Sequence, residues 1–248
     1  MAPVLTDRRV DVIHRELARA LLDTFRPRMD VYATRFDTEG QVARINAWMK
    51  KEGYEQTFAV GGWKPAGPRA SRTPLTLDAV VDHVAGKHTL GFYPLHADKT
   101  CSSVSLDFDN HRGTSTTERD PREDLDAVIH VCLRRGLRFL ANHSRGGKGY
   151  WLHLLPPPGT RATEARALLF AVVREAGLRH ITEGGTFDAV FPKQNDLRSA
   201  SEKNPGNLFC VPCGGRWLRA EAPGTPGTHF VNTDPRDLHA QLRALREY

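Results

Sequence analysis

The sequence predicts an α/β (α+β) protein built on mixed sheets. Three observations carry that expectation. Segments with helical apolar spacing alternate with short strand-like segments. Some neighbouring strands are separated only by tight turns, which argues against a pure doubly wound fold. The chain has 248 residues, 40% of them hydrophobic and 26% charged, enough to bury a real core.

The elements follow in order. The first 25 residues read as a helix with Val10, Ile13, Leu17, Leu21 and Leu22 at helical spacing, ended by Arg26-Pro27. Val31 to Phe36 reads as a strand, and Gln41 to Lys51 as a helix closed by Gly53. Residues 61–74 read as a loop, because glycine and proline punctuate them. Thr76 caps a helix carrying Leu77, Val80, Val81 and Val84. Ser102 to Asp109 reads as a strand. Asp120-Pro121-Arg122-Glu123 opens a helix with an acidic cap and a proline in the first turn, and Gly136 closes it. Leu137 to Asn142 and Gly149 to Leu155 are strands joined by a glycine-rich turn. Thr163 starts a helix that Gly177 stops. Strands follow around Thr186–Phe191 and Asn207–Pro212, and Asp234-Pro235 opens a last short helix. The organisation expected is an N-terminal helical extension (1–29), a core (30–233) and a C-terminal helix (234–248) leading into a longer chain.

No apolar run approaches the ~20 residues of a membrane span, and Met1 to Arg9 lacks the apolar core of a signal peptide. A cytoplasmic protein without membrane association is expected. Four cysteines, at 101, 132, 210 and 213, are too few for a disulfide scaffold. Cys210-Val-Pro-Cys213 is a lone CxxC pair, whereas a structural zinc site needs two further ligands. The net charge of +6 and pI of about 9.3 suit a polyanionic partner. Residues 127–163 hold Arg134, Arg135, Arg138, Arg145, Lys148 and Arg161 and no Asp or Glu.

Three segments carry chemistry. In Val104-Ser105-Leu106-Asp107-Phe108-Asp109, alternation sends Val104, Leu106 and Phe108 to one face, and Ser105, Asp107 and Asp109 to the other. The two acids then sit ~6.6 Å apart along the strand. Carboxylates that close repel and raise each other's pKa unless a cation lies between them. Hard divalent cations suit such a pair, and two metals can clamp an in-line phosphoryl transfer. A solvated strand end with two acids is the plainer alternative.

The second segment is Ser144-Arg145-Gly146-Gly147-Lys148-Gly149-Tyr150. Its glycines free the backbone to approach a ligand, successive N–H groups can form an anion nest, and Lys148 adds a point charge. No helix follows, so it is neither a P-loop nor a dinucleotide fingerprint. On the strand that follows, Trp151, His153 and Leu155 share a face. A basic-tipped hairpin with no ligand is the alternative. The third segment, Phe187 to Arg198, sets one strand-borne acid, Asp188, ahead of Lys193 and Arg198.

Taken in this order, the three segments resemble the archaeo-eukaryotic primase superfamily. A hydrophobic-Asp-hydrophobic-Asp strand, a Ser/Gly-rich turn entering a strand, and a later aspartate before a basic segment ending in arginine mark that superfamily. The flanks Gly91-Phe92-Tyr93-Pro94-Leu95, Thr100-Cys101, Phe191-Pro192-Lys193-Gln194 and Gly206-Asn207-Leu208 are similar to primase-polymerases of bacterial mobile elements and conflict systems. The resemblance covers about residues 30–215. It implies an α/β module packed on a module like an RNA-recognition fold, with the site between their sheets.

By that resemblance, Asp107 and Asp109 are the first two metal ligands and Asp188 the third, with Asp196 the competing acid. Ser144 and Lys148 match nucleotide-phosphate contacts, with Arg145 and Gly147 in the same turn. Arg198 matches a basic position near the incoming nucleotide or template. The family usually has histidine where this chain has Trp151. His153, two residues on and on the same face, is expected to supply the polar contact to the nucleotide while Trp151 stacks on a base or ribose. The implied activity is Mg²⁺- or Mn²⁺-dependent, template-directed nucleotidyl transfer, by a primase or DNA polymerase acting on a DNA template and primer with nucleoside triphosphates. A helicase or other domain in the same chain or operon is an expected partner. A metal-dependent nuclease and a catalytically impaired nucleic-acid-binding module remain the alternatives.

Overall fold

The computed structural model describes residues 7–36, 39–51, 53, 59, 61–66, 72–109, 119–145, 149–197, 205–214, 228–234 and 237–248. In chain order these form α1 (Asp7–Phe25), β1 (Ala33–Arg35), α2 (Glu39–Lys51), β2 (Trp63–Pro65), α3 (Leu77–Val84), β3 (Thr89–Phe92), β4 (Val104–Phe108), α4 (Pro121–Arg134), β5 (Leu140–His143), β6 (Tyr150–Leu154), α5 (Ala162–Glu175), a single 3-10 turn (Ile181–Glu183), β7 (Phe187–Phe191), β8 (Phe209–Cys210) and α6 (Leu238–Glu247). The chain is thus a mixed α/β protein, and the described residues form two four-stranded sheets, ordered β2-β1-β3-β8 and β5-β6-β4-β7. Every strand pair in them is antiparallel, and one isolated bridge, His180 to Phe187, is parallel.

The second sheet separates two apolar cores. Val104, Leu106, Phe108, Leu152 and Leu154 point to one side, where Leu125 and Val128 of α4 and Leu169 and Val172 of α5 cover them. Trp151 and Phe191 point to the other side. There they join a core built by Leu17, Leu21 and Phe25 of α1, Val80 and Val84 of α3, Leu242 and Leu245 of α6, and Leu90, Phe92 and Phe209 of the first sheet. The alternation read from β4 holds because the sheet is buried on both sides and its two faces meet different partners. Truncating a fully buried leucine such as Leu106 to Ala is expected to cost about 2–5 kcal/mol.

The local signals explain most boundaries. Thr76 accepts a hydrogen bond from the Ala79 N–H, and Asp120 accepts one from the Arg122 N–H. Gly136 and Gly177 take φ of +66° after α4 and α5. Arg26 donates its N–H to Leu22 O and turns to φ +42°, which ends α1 one residue before the proline.

Three details depart from the expectations. The segment 61–74 holds a short strand, β2, because an edge position pairing only with β1 tolerates Pro65. β3 was not anticipated, since Thr89-Leu90-Gly91-Phe92 is too short to show alternation. The last helix is capped by Asp237, which accepts the Ala240 N–H, and not by Asp234. Among the described residues no helix is long and apolar enough to cross a membrane.

Candidate active site

Asp107 is built into the middle of the second sheet, directly opposite Trp151 on β6 and Ala189 on β7. Cross-strand partners share a face, so the carboxylate lies on the side that meets the first sheet. β4 ends at Phe108, and Asp109 is held just past the strand by its N–H, which donates to Thr186 O at 2.9 Å. Thr186 is itself fixed: its N–H and hydroxyl both donate to the buried Asp124 carboxylate of α4, at 3.1 and 2.7 Å.

Asp188 arrives by an irregularity. Asp107 pairs with Ala189 but Phe108 pairs with Phe187, so β7 carries one extra residue, Asp188, at that step. Strict alternation would put Asp188 on the apolar face with Val190. A β-bulge breaks the alternation, and the extra residue is Asp188 itself.

Asp188 and Asp109 both act electrostatically on Asp107. Burial raises the Asp107 pKa well above the usual carboxylate range, repulsion from Asp188 adds to it, then repulsion from Asp109, and Lys193 partly opposes the shift. Asp188 thus acts on Asp107 more strongly than Asp109 does. Among the described residues no group of three or more His, Cys, Asp or Glu side chains is arranged to hold a metal ion unaided. The donor set nevertheless fits a hard divalent cation. Mg²⁺ is commonly held by one or two carboxylates plus substrate phosphates, and Asp107 is desolvated and repelled by like charges, which a cation would relieve.

Gly149, the last glycine of the glycine-rich segment, sits against the end of the aspartate strand. A Cβ on Gly149 would overlap the Phe108 carbonyl oxygen and lie 3.3 Å from Asp109 Cα. Only glycine permits that approach. Ser144 closes the turn: its N–H donates to Gly149 O at 2.8 Å, and its hydroxyl accepts the Gly149 N–H at 3.1 Å. Arg145 reaches across to the first sheet, donating from Nε to Thr89 Oγ1 of β3 at 3.0 Å. Gly147, Lys148 and Arg198 lie outside the described residues.

His153 requires a correction. It shares the face of Trp151, as alternation requires, but it is fully buried and does not reach a ligand surface. Asn142 Nδ2 donates to His143 O, which leaves Asn142 Oδ1 to accept the His153 Nε2–H at 2.8 Å. His153 Nδ1 then accepts the Ser105 hydroxyl at 2.7 Å. Burial lowers the pKa to about 3, so the ring is neutral. With both nitrogens used internally and the rings of Phe25, Phe209 and Trp151 around it, it has no donor or acceptor left for a nucleotide. Trp151 is 8% exposed and packs on Phe191 and Phe209, so most of its surface serves the core.

The structure adds two residues that the sequence did not single out as site residues. Lys193, exposed beyond β7, is the cation acting on Asp107. His180 hydrogen-bonds the backbone of Asp188 through Nε2 at 2.8 Å. The sequence signals for Lys193 are its place after Phe191-Pro192 and in the basic segment that follows Asp188. For His180 there was none.

Elsewhere, Arg134 and Arg135 both pair with Glu175 of α5, which accounts for two cations of the acid-free stretch. Cys210 and Cys213 are buried free thiols; burial pushes the Cys213 thiol up, and its sulfur donates to Gln241 Oε1 at 3.8 Å.

The family model described as the archaeo-eukaryotic primase domain of TOTE conflict systems matches residues 16–248. No curated protein matches the chain. Among solved structures, the polymerase domain of Mycobacterium tuberculosis Ligase D, solved in complex with DNA, superposes with a TM-score of 0.46 at 11% identity. That likeness covers 84% of this chain and 75% of the other.

Proposed function

The chain belongs to the archaeo-eukaryotic primase domain family of TOTE conflict systems, and from that premise we propose that it is a template-directed, metal-dependent nucleotidyltransferase acting on DNA. The observation that carries this reading is the coupling of Asp107 to both Asp188 and Asp109 in a desolvated position beside the glycine-rich turn.

Mg²⁺ or Mn²⁺, once bound, would neutralise the developing charge on the transferring phosphoryl group and on the attacking and leaving oxygens. Asp107, Asp109 and Asp188 would hold it. Backbone N–H groups between Ser144 and Gly149 would cradle the triphosphate, and Lys148 would add a positive charge. Ser144 ties the two ends of that segment together through its bonds to Gly149. Lys193 balances the acidic cluster when no nucleotide is present. The reaction proposed is attack of a primer 3′-hydroxyl oxygen on the α-phosphorus of a nucleoside triphosphate. The bond to the bridging oxygen of the β-phosphate breaks, and pyrophosphate leaves. Arg198 would contact the incoming nucleotide or the template, which would make binding salt-sensitive.

Calorimetric titration with a non-hydrolysable nucleoside triphosphate in the presence of Mn²⁺ tests the pocket. Saturable, metal-dependent binding supports the polymerase reading. Absence of nucleotide binding, with metal-dependent cleavage of single-stranded DNA, would assign the acids to a nuclease instead.

A further inference from the structure

We infer that His180 is a positioning residue for Asp188, holding the aspartate in the off-ladder place where it meets Asp107. The inference rests on the metal-dependent reading proposed above.

The extra residue of a bulge leaves the regular ladder, and its backbone groups need partners elsewhere. At this step Asp188 has no paired residue on β4. Its carbonyl accepts a hydrogen bond from His180 Nε2 at 2.8 Å. The direction of that bond is fixed by the other side of the ring. The Thr182 N–H donates to His180 Nδ1 at 3.2 Å, so Nδ1 carries no proton and Nε2 must. The ring also stands edge-on to Phe187, centroids 5.7 Å apart and planes at 90°, which sets its tilt.

The segment from Arg179 to Phe187 keeps His180 in place. His180 caps the 3-10 turn, and Gly184 ends that turn at φ +80°. Gly185 passes so close to Arg179 that a Cβ would overlap the Arg179 carbonyl oxygen. The very next residue, Thr186, supplies the carbonyl oxygen that holds the Asp109 N–H. One short connection therefore fixes the backbone at two of the three acids. It does so through neutral hydrogen bonds, which add no charge to an already crowded cluster.

The test is direct Mn²⁺ binding, followed by electron paramagnetic resonance of free Mn²⁺, on the wild type, His180→Leu, His180→Gln and Asp188→Asn. Leucine keeps the contact with Phe187 but has no donor, whereas glutamine can donate to Asp188 O. Partners that orient metal ligands typically contribute 10- to 100-fold in metal affinity, so His180→Leu should weaken Mn²⁺ binding roughly 10- to 100-fold. His180→Gln should stay within about threefold of the wild type. Thermal unfolding of each variant separates the effect from a general loss of structure. Wild-type Mn²⁺ affinity in His180→Leu, with affinity lost in Asp188→Asn, would overturn the inference alone. Wild-type affinity in Asp188→Asn would instead overturn the metal reading beneath it.

Discussion

Gly149 and Phe108 occupy space that admits no side chain between them: a Cβ at residue 149 would overlap the Phe108 carbonyl oxygen. The glycine-rich turn and the aspartate strand are locked together at this point. Gly149→Ala must therefore push either the turn or Asp109 out of place. Overpacking of this kind costs roughly 1–3 kcal/mol. Displacing catalytic groups by about 1 Å can cost on the order of 10²-fold in turnover. Denaturant unfolding and single-nucleotide incorporation should show both losses, whereas Gly159→Ala, strained by a φ of +85° but with nothing within 4 Å of its Cβ, should lower stability and leave incorporation unchanged.

The raised pKa of Asp107 makes a signed prediction about pH. In the metal-free folded protein Asp107 keeps its proton to higher pH than in the unfolded chain. Between the ordinary carboxylate range and the folded value, the native state binds more protons than the unfolded one. Stability from this group is therefore present at low pH and lost as pH rises through the folded pKa. Asp107→Asn should remove that loss, stabilising the metal-free protein at neutral pH by about 0.5–2 kcal/mol. The gap between variant and wild type should narrow toward pH 4. Added Mn²⁺ should stabilise the wild type and not the variant. Melting curves across pH, with and without metal, check all three.

The acid limb belongs to histidines. Burial is the main cause that lowers His153 to about 3 and His83 and His143 to about 4. Each is protonated in the unfolded chain near its ordinary value before it is protonated in the fold. Their contribution is complete above about pH 6.5 and is lost as pH falls toward the folded values. Urea unfolding at pH 7 and pH 5 should show the decline.

His153→Ala should act on the fold more than on the ligand. It leaves Ser105 Oγ and Asn142 Oδ1 without their partner inside the core, at a cost of roughly 2–5 kcal/mol. At temperatures where the variant is folded, its nucleotide affinity should remain within about threefold of the wild type. Trp151→Ala should likewise destabilise by about 3–5 kcal/mol. A selective loss of nucleotide binding in His153→Ala, with unchanged stability, would contradict the buried placement.

The sequence disclosed what depends on period and composition. Val104, Leu106 and Phe108 announced the buried face of β4, and with it the side on which Asp107 lies, because period two is obligatory in a strand. The glycines around Lys148 announced a close backbone approach, and Gly149 makes one. What stayed hidden depends on tertiary pairing. Nothing in Phe187-Asp188-Ala189 signals a bulge, and without it Asp188 reads onto the apolar face. Alternation placed His153 on the correct face but carried no information about depth, and Phe25 and Phe209, which bury it, lie far away in the chain. His180 had no visible role because its partner is a backbone carbonyl, which leaves no mark on residue type.

Primer extension on a single-stranded DNA template, with all four nucleoside triphosphates and Mg²⁺ or Mn²⁺, is the most direct test of the central claim. The wild type should extend the primer only with metal present. Asp107→Ala/Asp109→Ala should abolish extension while circular dichroism shows the fold retained. Undiminished synthesis by the folded double variant would contradict the assignment of these aspartates as the catalytic centre.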